Sequence, residues 1–202
     1  MSYLDRLVVD GTDRDAWALA RRPGLGASDA ATFSKQESVD KYVAAKLGDR
    51  SFTGNSYTAS GHRWEPLMLA YVGIPGNVAL FHSPDEKGFV ATPDGIDPTG
   101  RFRLAECKAK HNKVVNGPDL KEWRQLAWQF LVFPEAAETE FVWVELNSDN
   151  EIRDGRNGQP SSITIPRNHP KILDLTERIL PIAREVLPRL RAALEIEKEL
   201  AA

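Results

Sequence analysis

The sequence has a single cysteine, Cys107, among its 202 residues, so the chain can close no disulfide within itself. That fits a reducing compartment, and a cytoplasmic protein is expected. No apolar run approaches the roughly 20 residues that span a bilayer. The opening Met-Ser-Tyr-Leu-Asp-Arg also lacks the basic stretch and apolar core of a secretory signal. A membrane partner is therefore not expected. The histidines His62, His82, His111 and His169 show no metal-ligand spacing and read as surface or supporting residues, with only His111 near the site considered below. Internal repeats and low-complexity segments are absent. An excess of positive charge is missing too: the net charge of −3 argues against a protein that covers nucleic acid with its whole surface.

What is present is the material of one globular domain over residues 1–202. Its charge is unevenly spread. Between Arg101 and Arg124 the bases Arg101, Arg103, Lys108, Lys110, Lys113, Lys121 and Arg124 face only Glu106, Asp119 and Glu122, a local excess of four. A basic site on a mildly acidic protein suits phosphate contact, and a solvated surface explains it equally well.

Residues 1–73 read as helical. Asp13–Leu19 is a short run, Ser28 or Asp29 can cap a helix through Phe33, and Ser38–Leu47 stops at Gly48. Asp49–Tyr57 is a polar loop. A helix over Ser60–Val72 ends at Gly73, with Pro66 as a kink point. Residues 74–147 turn extended, with strands expected over Val78–His82, Gly88–Thr92 and Phe102–Ala109. Asp119, three residues before Glu122, opens a helix over Leu120–Val132 that Pro134 ends. Glu140–Leu146 alternates as a strand, Phe141, Trp143 and Glu145 on one face and Val142, Val144 and Leu146 on the other. In residues 148–202, Asp149–Ser162 reads as a hairpin or exposed loop and Ile163–Ile165 as a short strand. Lys171 to the end reads as helix interrupted at Pro181 and Pro188. The order predicts an α/β fold with a small mixed sheet.

Chemistry concentrates in Ala91–Lys108. Asp94, Glu106 and Lys108 are two carboxylates that can share a hard divalent cation and a lysine beside the second. This is what magnesium-dependent phosphodiester cleavage requires. Acid-x-Lys occurs three times, however, at Asp85–Lys87, Glu106–Lys108 and Asp119–Lys121. The first lies in turn chemistry and the third caps a helix. Only the second lies in a strand-like run, where alternation points Glu106 and Lys108 the same way. Asp94, beside Gly95, is a turn and a return strand away. Asp94 and Glu106 would hold the cation, with the Cys107 carbonyl as a further ligand, and Lys108 would orient the water or offset developing charge. The bland alternative is a surface hairpin with an incidental ion pair.

Five motifs in order extend this reading. Arg21-Arg22-Pro23-Gly24-Leu25-Gly26-Ala27-Ser28-Asp29-Ala30-Ala31 resembles the "R…GxGxSDAA" opening of the YqaJ-like viral recombinase family. These are the lambda-exonuclease-type phage nucleases of the PD-(D/E)xK superfamily. Gly61-His62-Arg63-Trp64-Glu65-Pro66 is similar to the family's "GxxxEP", Thr92-Pro93-Asp94-Gly95 to its "SPDG", and Glu106-Cys107-Lys108 to its "ExK". Gln125-Leu126-Ala127-Trp128-Gln129 resembles its "QxQWQ" helix, with Ala127 where the second glutamine often stands. Together they cover about two-thirds of the chain.

The resemblance implies a restriction-endonuclease-like core and a magnesium-dependent exonuclease, with manganese as a possible substitute and two ions in the site. Such an enzyme degrades the 5′-ended strand of linear double-stranded DNA and leaves 3′ tails. Glu65 would join Asp94, Glu106 and Cys107 near the metals, and Gln125 would reach the active site, with Gln129 the weaker candidate on the same helix face. Ser28 and Arg21 would grip a 5′-terminal phosphate, Arg22 being the alternative because Pro23-Gly24 alters the loop; a plain helix cap competes for Ser28. Partners would be double-stranded DNA ends, a single-strand annealing protein and further copies of the chain in a ring-like homotrimer. The alternatives are an endonuclease or a Cas4-like nuclease of the same superfamily, or a DNA-binding protein without catalysis on the same fold. Cas4-like enzymes usually carry a cysteine cluster that Cys107 alone cannot supply.

Overall fold

The computed structural model describes residues 2–48, 56–153 and 157–201. Most of the expected 49–57 loop, and residues 154–156 of the 149–162 segment, lie outside them. A 3₁₀ turn, Tyr3–Arg6, leads into β1 (Leu7–Val9), α1 (Arg14–Arg21), α2 (Ala27–Ala30), α3 (Val39–Gly48) and α4 (Ser56–Val72). Short strands β2 (Leu80–His82), β3 (Val90–Ala91) and β4 (Gly95–Asp97) follow. The long β5 (Arg103–His111), α5 (Leu120–Val132), β6 (Glu138–Leu146), β7 (Ser161–Pro166) and α6 (Pro170–Leu200) complete the chain.

The strands form two sheets. β1-β2-β3 is antiparallel, and β4-β5-β6-β7 is mixed, with β5 and β6 parallel and their neighbours antiparallel. Parallel neighbours need a crossover, and α5 supplies it. Strand alternation then sorts side chains between two helical layers. Leu104 of β5 and Phe141 and Trp143 of β6 pack in the main core with α5 and α6. Ala105, Cys107 and Ala109 of β5, with Val142, Val144 and Leu146 of β6, pack in smaller clusters around Met68 and Leu69 of α4. Both alternations match the sequence reading.

α5 begins as expected. Asp119 accepts from the backbone N–H groups of Lys121 (2.9 Å) and Glu122 (3.0 Å), and Glu122 accepts from that of Asp119 (2.8 Å). The closing helix differs from expectation. It runs unbroken from Pro170 to Leu200 through Pro181 and Pro188. The two prolines are seven residues apart, share a face and are both exposed. Water can therefore satisfy the carbonyls they leave unbonded, while Ile172, Leu175, Ile179, Ile182, Val186 and Leu190 bury the opposite face. Two short strands were not foreseen. β1 is held where it is by Arg6, fully buried, which binds Glu135 at 2.6 Å and donates to the carbonyls of His82 and Val132. β4 is three residues long, too short for alternation to declare itself. Among the described residues no helix is long and apolar enough to cross a membrane.

Candidate active site

β4 pairs with β5 only at Gly95–Ala105, Ile96–Leu104 and Asp97–Arg103. From Glu106 onward that edge of β5 has left the ladder, and Asp94, the residue before β4, closes the gap. Its Oδ2 accepts from the backbone N–H of Cys107 at 2.6 Å. A residue's N–H and carbonyl leave an extended strand on the same side, so the Cys107 carbonyl also faces Asp94. The Cys107 side chain packs toward α4 and is not part of the site; burial, then the surrounding carboxylates, push its thiol well up.

Asp94 is fixed from behind. Its carbonyl accepts from Asn77 N–H at 2.8 Å, and the Asn77 side chain donates to Pro93 O at 2.9 Å. Gly95 is required by close approach: a Cβ there would meet Ile74 and Leu69 carbons at 2.8 Å. This explains Pro-Asp-Gly at this turn better than backbone freedom does.

Glu106 and Lys108 project from β5 on the α5 side. Lys108 Nζ donates to Glu106 Oε1 at 2.5 Å, and Gln129 Nε2 donates to Oε2 at 2.5 Å. Burial raises Asp94 well above the usual carboxylate range, and the charge of Glu106 adds to it. Burial pulls Lys108 down, but Glu106 and Asp94 outweigh it and push the ammonium up, so it stays charged through neutral pH. Two carboxylates crowded on one edge with a single lysine form an unbalanced anionic site.

Glu65 stands on α4, half-buried, 3.8 Å from His62. Burial raises it, His62 opposes that, and Glu106 and Lys108 both act on it. It is thus within electrostatic range of the site. Among the described residues no group of three or more His, Cys, Asp and Glu side chains is gathered to hold a metal ion. Magnesium does not need one, since it takes one or two carboxylates and keeps several waters. Asp94, Glu106 and the Cys107 carbonyl fit that demand; Glu65 stands outside a direct ligand set.

Gln125 is half-buried and makes no hydrogen bond to either carboxylate. Gln129, one turn later, is 1 % exposed and does. The sequence ranking of the two is therefore reversed in the contacts. Glu122, Gln125 and Gln129 share one face of α5, and Glu122 forms a buried ion pair with Lys110. Gln125 lies between the two contacts along the helix.

A second group forms at α1 and α2. Arg21 Nη2 donates to the Ser28 hydroxyl and lies 3.4 Å from Asp29 Oδ2. Ser28 does not cap its helix: Gly26 is the N-cap, and Asp29 reaches back to the Gly26 N–H at 2.7 Å. The expected competition for the Ser28 hydroxyl is thereby removed. Nor does the helix run to Phe33, since it is a single turn. Lys46 of α3, nearly buried, pairs with Asp29 at 2.8 Å and adds a second cation. Arg22 points away and pairs with Glu197 of α6 at 2.7 Å. Trp17 links this group to the acids: the Arg21 guanidinium sits 5.4 Å over its ring, and its N–H donates to Thr92 Oγ1 at 3.1 Å, two residues before Asp94. Trp17, Lys46 and Asn77 were not singled out from the sequence, where a lone tryptophan, lysine or asparagine carries no signal.

The basic segment does not form one patch. Arg101 pairs with Glu138 and Arg103 with Asp97 at the far end of β5, Lys110 is spent on Glu122, and Arg124 donates to Ala31 O. Lys108 faces the acids.

No protein-family model matches the sequence, and no curated protein sequence does. Solved structures match the fold. An alkaline exonuclease from Laribacter hongkongensis superposes with a TM-score of 0.63 at 18 % identity, covering 92 % of this chain and 99 % of that one. The same enzyme in complex with dAMP gives 0.61 at 20 %, with the same coverage. A phage-related exonuclease from Haemophilus somnus 129PT gives 0.55 at 12 %, over 95 % of this chain and 93 % of that one. The fold is the PD-(D/E)xK fold of these exonucleases, a mixed sheet flanked by helices, as the motifs implied.

Proposed function

We propose that this chain is a magnesium-dependent deoxyribonuclease that degrades the 5′-ended strand of linear double-stranded DNA and leaves 3′ single-stranded tails. The observation that carries the reading is the convergence of Asp94 and Glu106 at the Cys107 peptide, with Lys108 on Glu106, on a fold shared with two exonucleases. Asp94, Glu106 and the Cys107 carbonyl would hold magnesium, or manganese in its place, which would supply an acidified water and a polarised phosphate. Lys108 offsets the charge that develops on the phosphate. Glu65 adds negative potential at the rim, and Gln125 reaches the substrate from α5. Arg21 and Ser28 hold the 5′-terminal phosphate, with Lys46 behind them, and Trp17 sets their distance from Asp94. The family resemblance supports two ions, a ring-like homotrimer and an annealing partner for the 3′ tail.

The test is digestion with magnesium of 5′-phosphorylated linear duplex, labelled at each end, against covalently closed circles. Progressive loss of the 5′-ended strand is expected, with circles intact. Efficient cutting of circles would instead make the chain an endonuclease. A chain that binds DNA ends but digests nothing with any divalent metal would be a binding protein.

The phosphate site gives a sharper expectation. Losing a charge-assisted contact to the terminal phosphate should slow initiation about tenfold or more. Removing the 5′ phosphate should therefore slow the wild type by that factor. Arg21→Ala should erase the difference between the two ends, and Arg22→Ala, whose guanidinium serves Glu197, should keep it. Initial rates on paired substrates decide this, and equal rates for the wild type on both ends would remove the phosphate assignment.

A further inference from the structure

Glu106 is held at both oxygens. Oε1 takes the Lys108 ammonium and Oε2 takes the Gln129 amide. Gln129 is an odd residue for its place. Its neighbours on α5, Leu126, Ala127, Trp128 and Phe130, are all buried apolar side chains, and Gln129 is as buried as they are. Its own Oε1 is buried and has no hydrogen-bond partner among the described residues. A methionine would fill the same volume without leaving a carbonyl unsatisfied. The packing therefore gives no reason for an amide, and Glu106 does.

We propose that Gln129 is a positioning residue, which locks the Glu106 carboxylate so that Oε1 is presented to the edge of β5 where Asp94 and the Cys107 carbonyl face. The inference rests on the nuclease reading of that site. A divalent cation taken up between Asp94 and Glu106 competes with Lys108 for Oε1. During that exchange a carboxylate held at one oxygen only could turn about its last bond. The hydrogen bond from Gln129 to Oε2 prevents this. The amide also brings an unused acceptor to the edge of the site. Gln125, which the motif order favours, has no such hold on either acid.

The test is calcium binding measured by titration calorimetry, without DNA, on the wild type and on Gln129→Met and Gln129→Asn. Methionine keeps the volume and removes the donor. Asparagine keeps the amide but withdraws it from Glu106, and guards against a methionine chain that does not fold. Both variants are expected to bind calcium about 10–100-fold more weakly. The magnesium concentration needed for half-maximal digestion should rise in step, with a smaller change in kcat at saturating metal. Melting curves establish that each chain is folded. Folded variants that bind calcium within about twofold of the wild type would overturn the inference alone. No cation uptake by the wild type would overturn the nuclease reading and this inference with it.

Discussion

Lys108→Met is expected to lower kcat for magnesium-dependent digestion by about 10²–10³-fold or more, with binding of 5′-phosphorylated ends retained. The geometry places the ammonium on Glu106 at 2.5 Å, on the strand face that carries the acid. Burial works against its charge, but Glu106 and Asp94 outweigh it and push the ammonium up, so Lys108 stays a cation through neutral pH. It is therefore suited to offsetting charge and unsuited to taking a proton. Methionine keeps the stem and removes only that charge, so the loss reads electrostatics rather than packing. A second consequence follows from the same contacts. Without Lys108, Asp94, Glu106 and Glu65 lose their balancing charge, and the folded chain should melt lower. Magnesium should then raise the melting temperature of the variant more than that of the wild type, because the cation no longer competes with an ammonium. Single-turnover rates and melts with and without magnesium measure both. A variant that digests at near the wild-type rate would remove Lys108 from the chemistry.

The contrast between what the sequence disclosed and what it hid has a physical basis. Alternation over nine residues of β5 and β6 is a strong signal, and it placed Glu106 with Lys108 and sorted Phe141 and Trp143 from Val142 and Val144. The Asp119 cap was legible because its chemistry is local. β1 and β4 were missed because three residues carry no periodicity, and their existence depends on partners far along the chain. Pro181 and Pro188 misled because their effect on a helix depends on which face is wet, a tertiary fact. At the site, order and type of residue sufficed to bring Asp94 and Glu106 together, and the family resemblance set Ser28 beside one of two adjacent arginines. The choice between Arg21 and Arg22 was not available, since it turns on Glu197 of the closing helix. Nor was the choice between Gln125 and Gln129. Both lie on one face of α5, and only the distance between that helix and β5 decides which of them meets Glu106.

Asp94→Asn should abolish magnesium-dependent digestion, by about 10³-fold or more, and at the same time make the chain more stable. Both effects come from one cause. The Asp94 carboxyl sits on the edge of β5 with Glu106 beside it, where desolvation first and like charge second raise its pKa well above the usual range. Such a group resists ionisation in the folded chain more than in the unfolded one. The stability it contributes is fully present below the unfolded carboxylate pKa of about 3.9 and is lost as pH rises through the higher folded value. Asparagine is neutral throughout and can still accept from the Cys107 N–H, so it keeps the hydrogen bond and drops the repulsion. The variant should therefore melt above the wild type at neutral pH, by ~2–4 °C for each kcal/mol at this chain length, and the gap should close toward pH 4. Magnesium should raise the wild-type melting temperature and leave that of the variant nearly unchanged, since one of two carboxylates is gone. Melting curves across pH, with and without magnesium, read all three effects. A variant less stable than the wild type at neutral pH would mean that Asp94 serves the fold through its contact with Cys107. A stable, inactive variant that ignores magnesium would mean that the strain of placing Asp94 against Glu106 is kept for the cation they share.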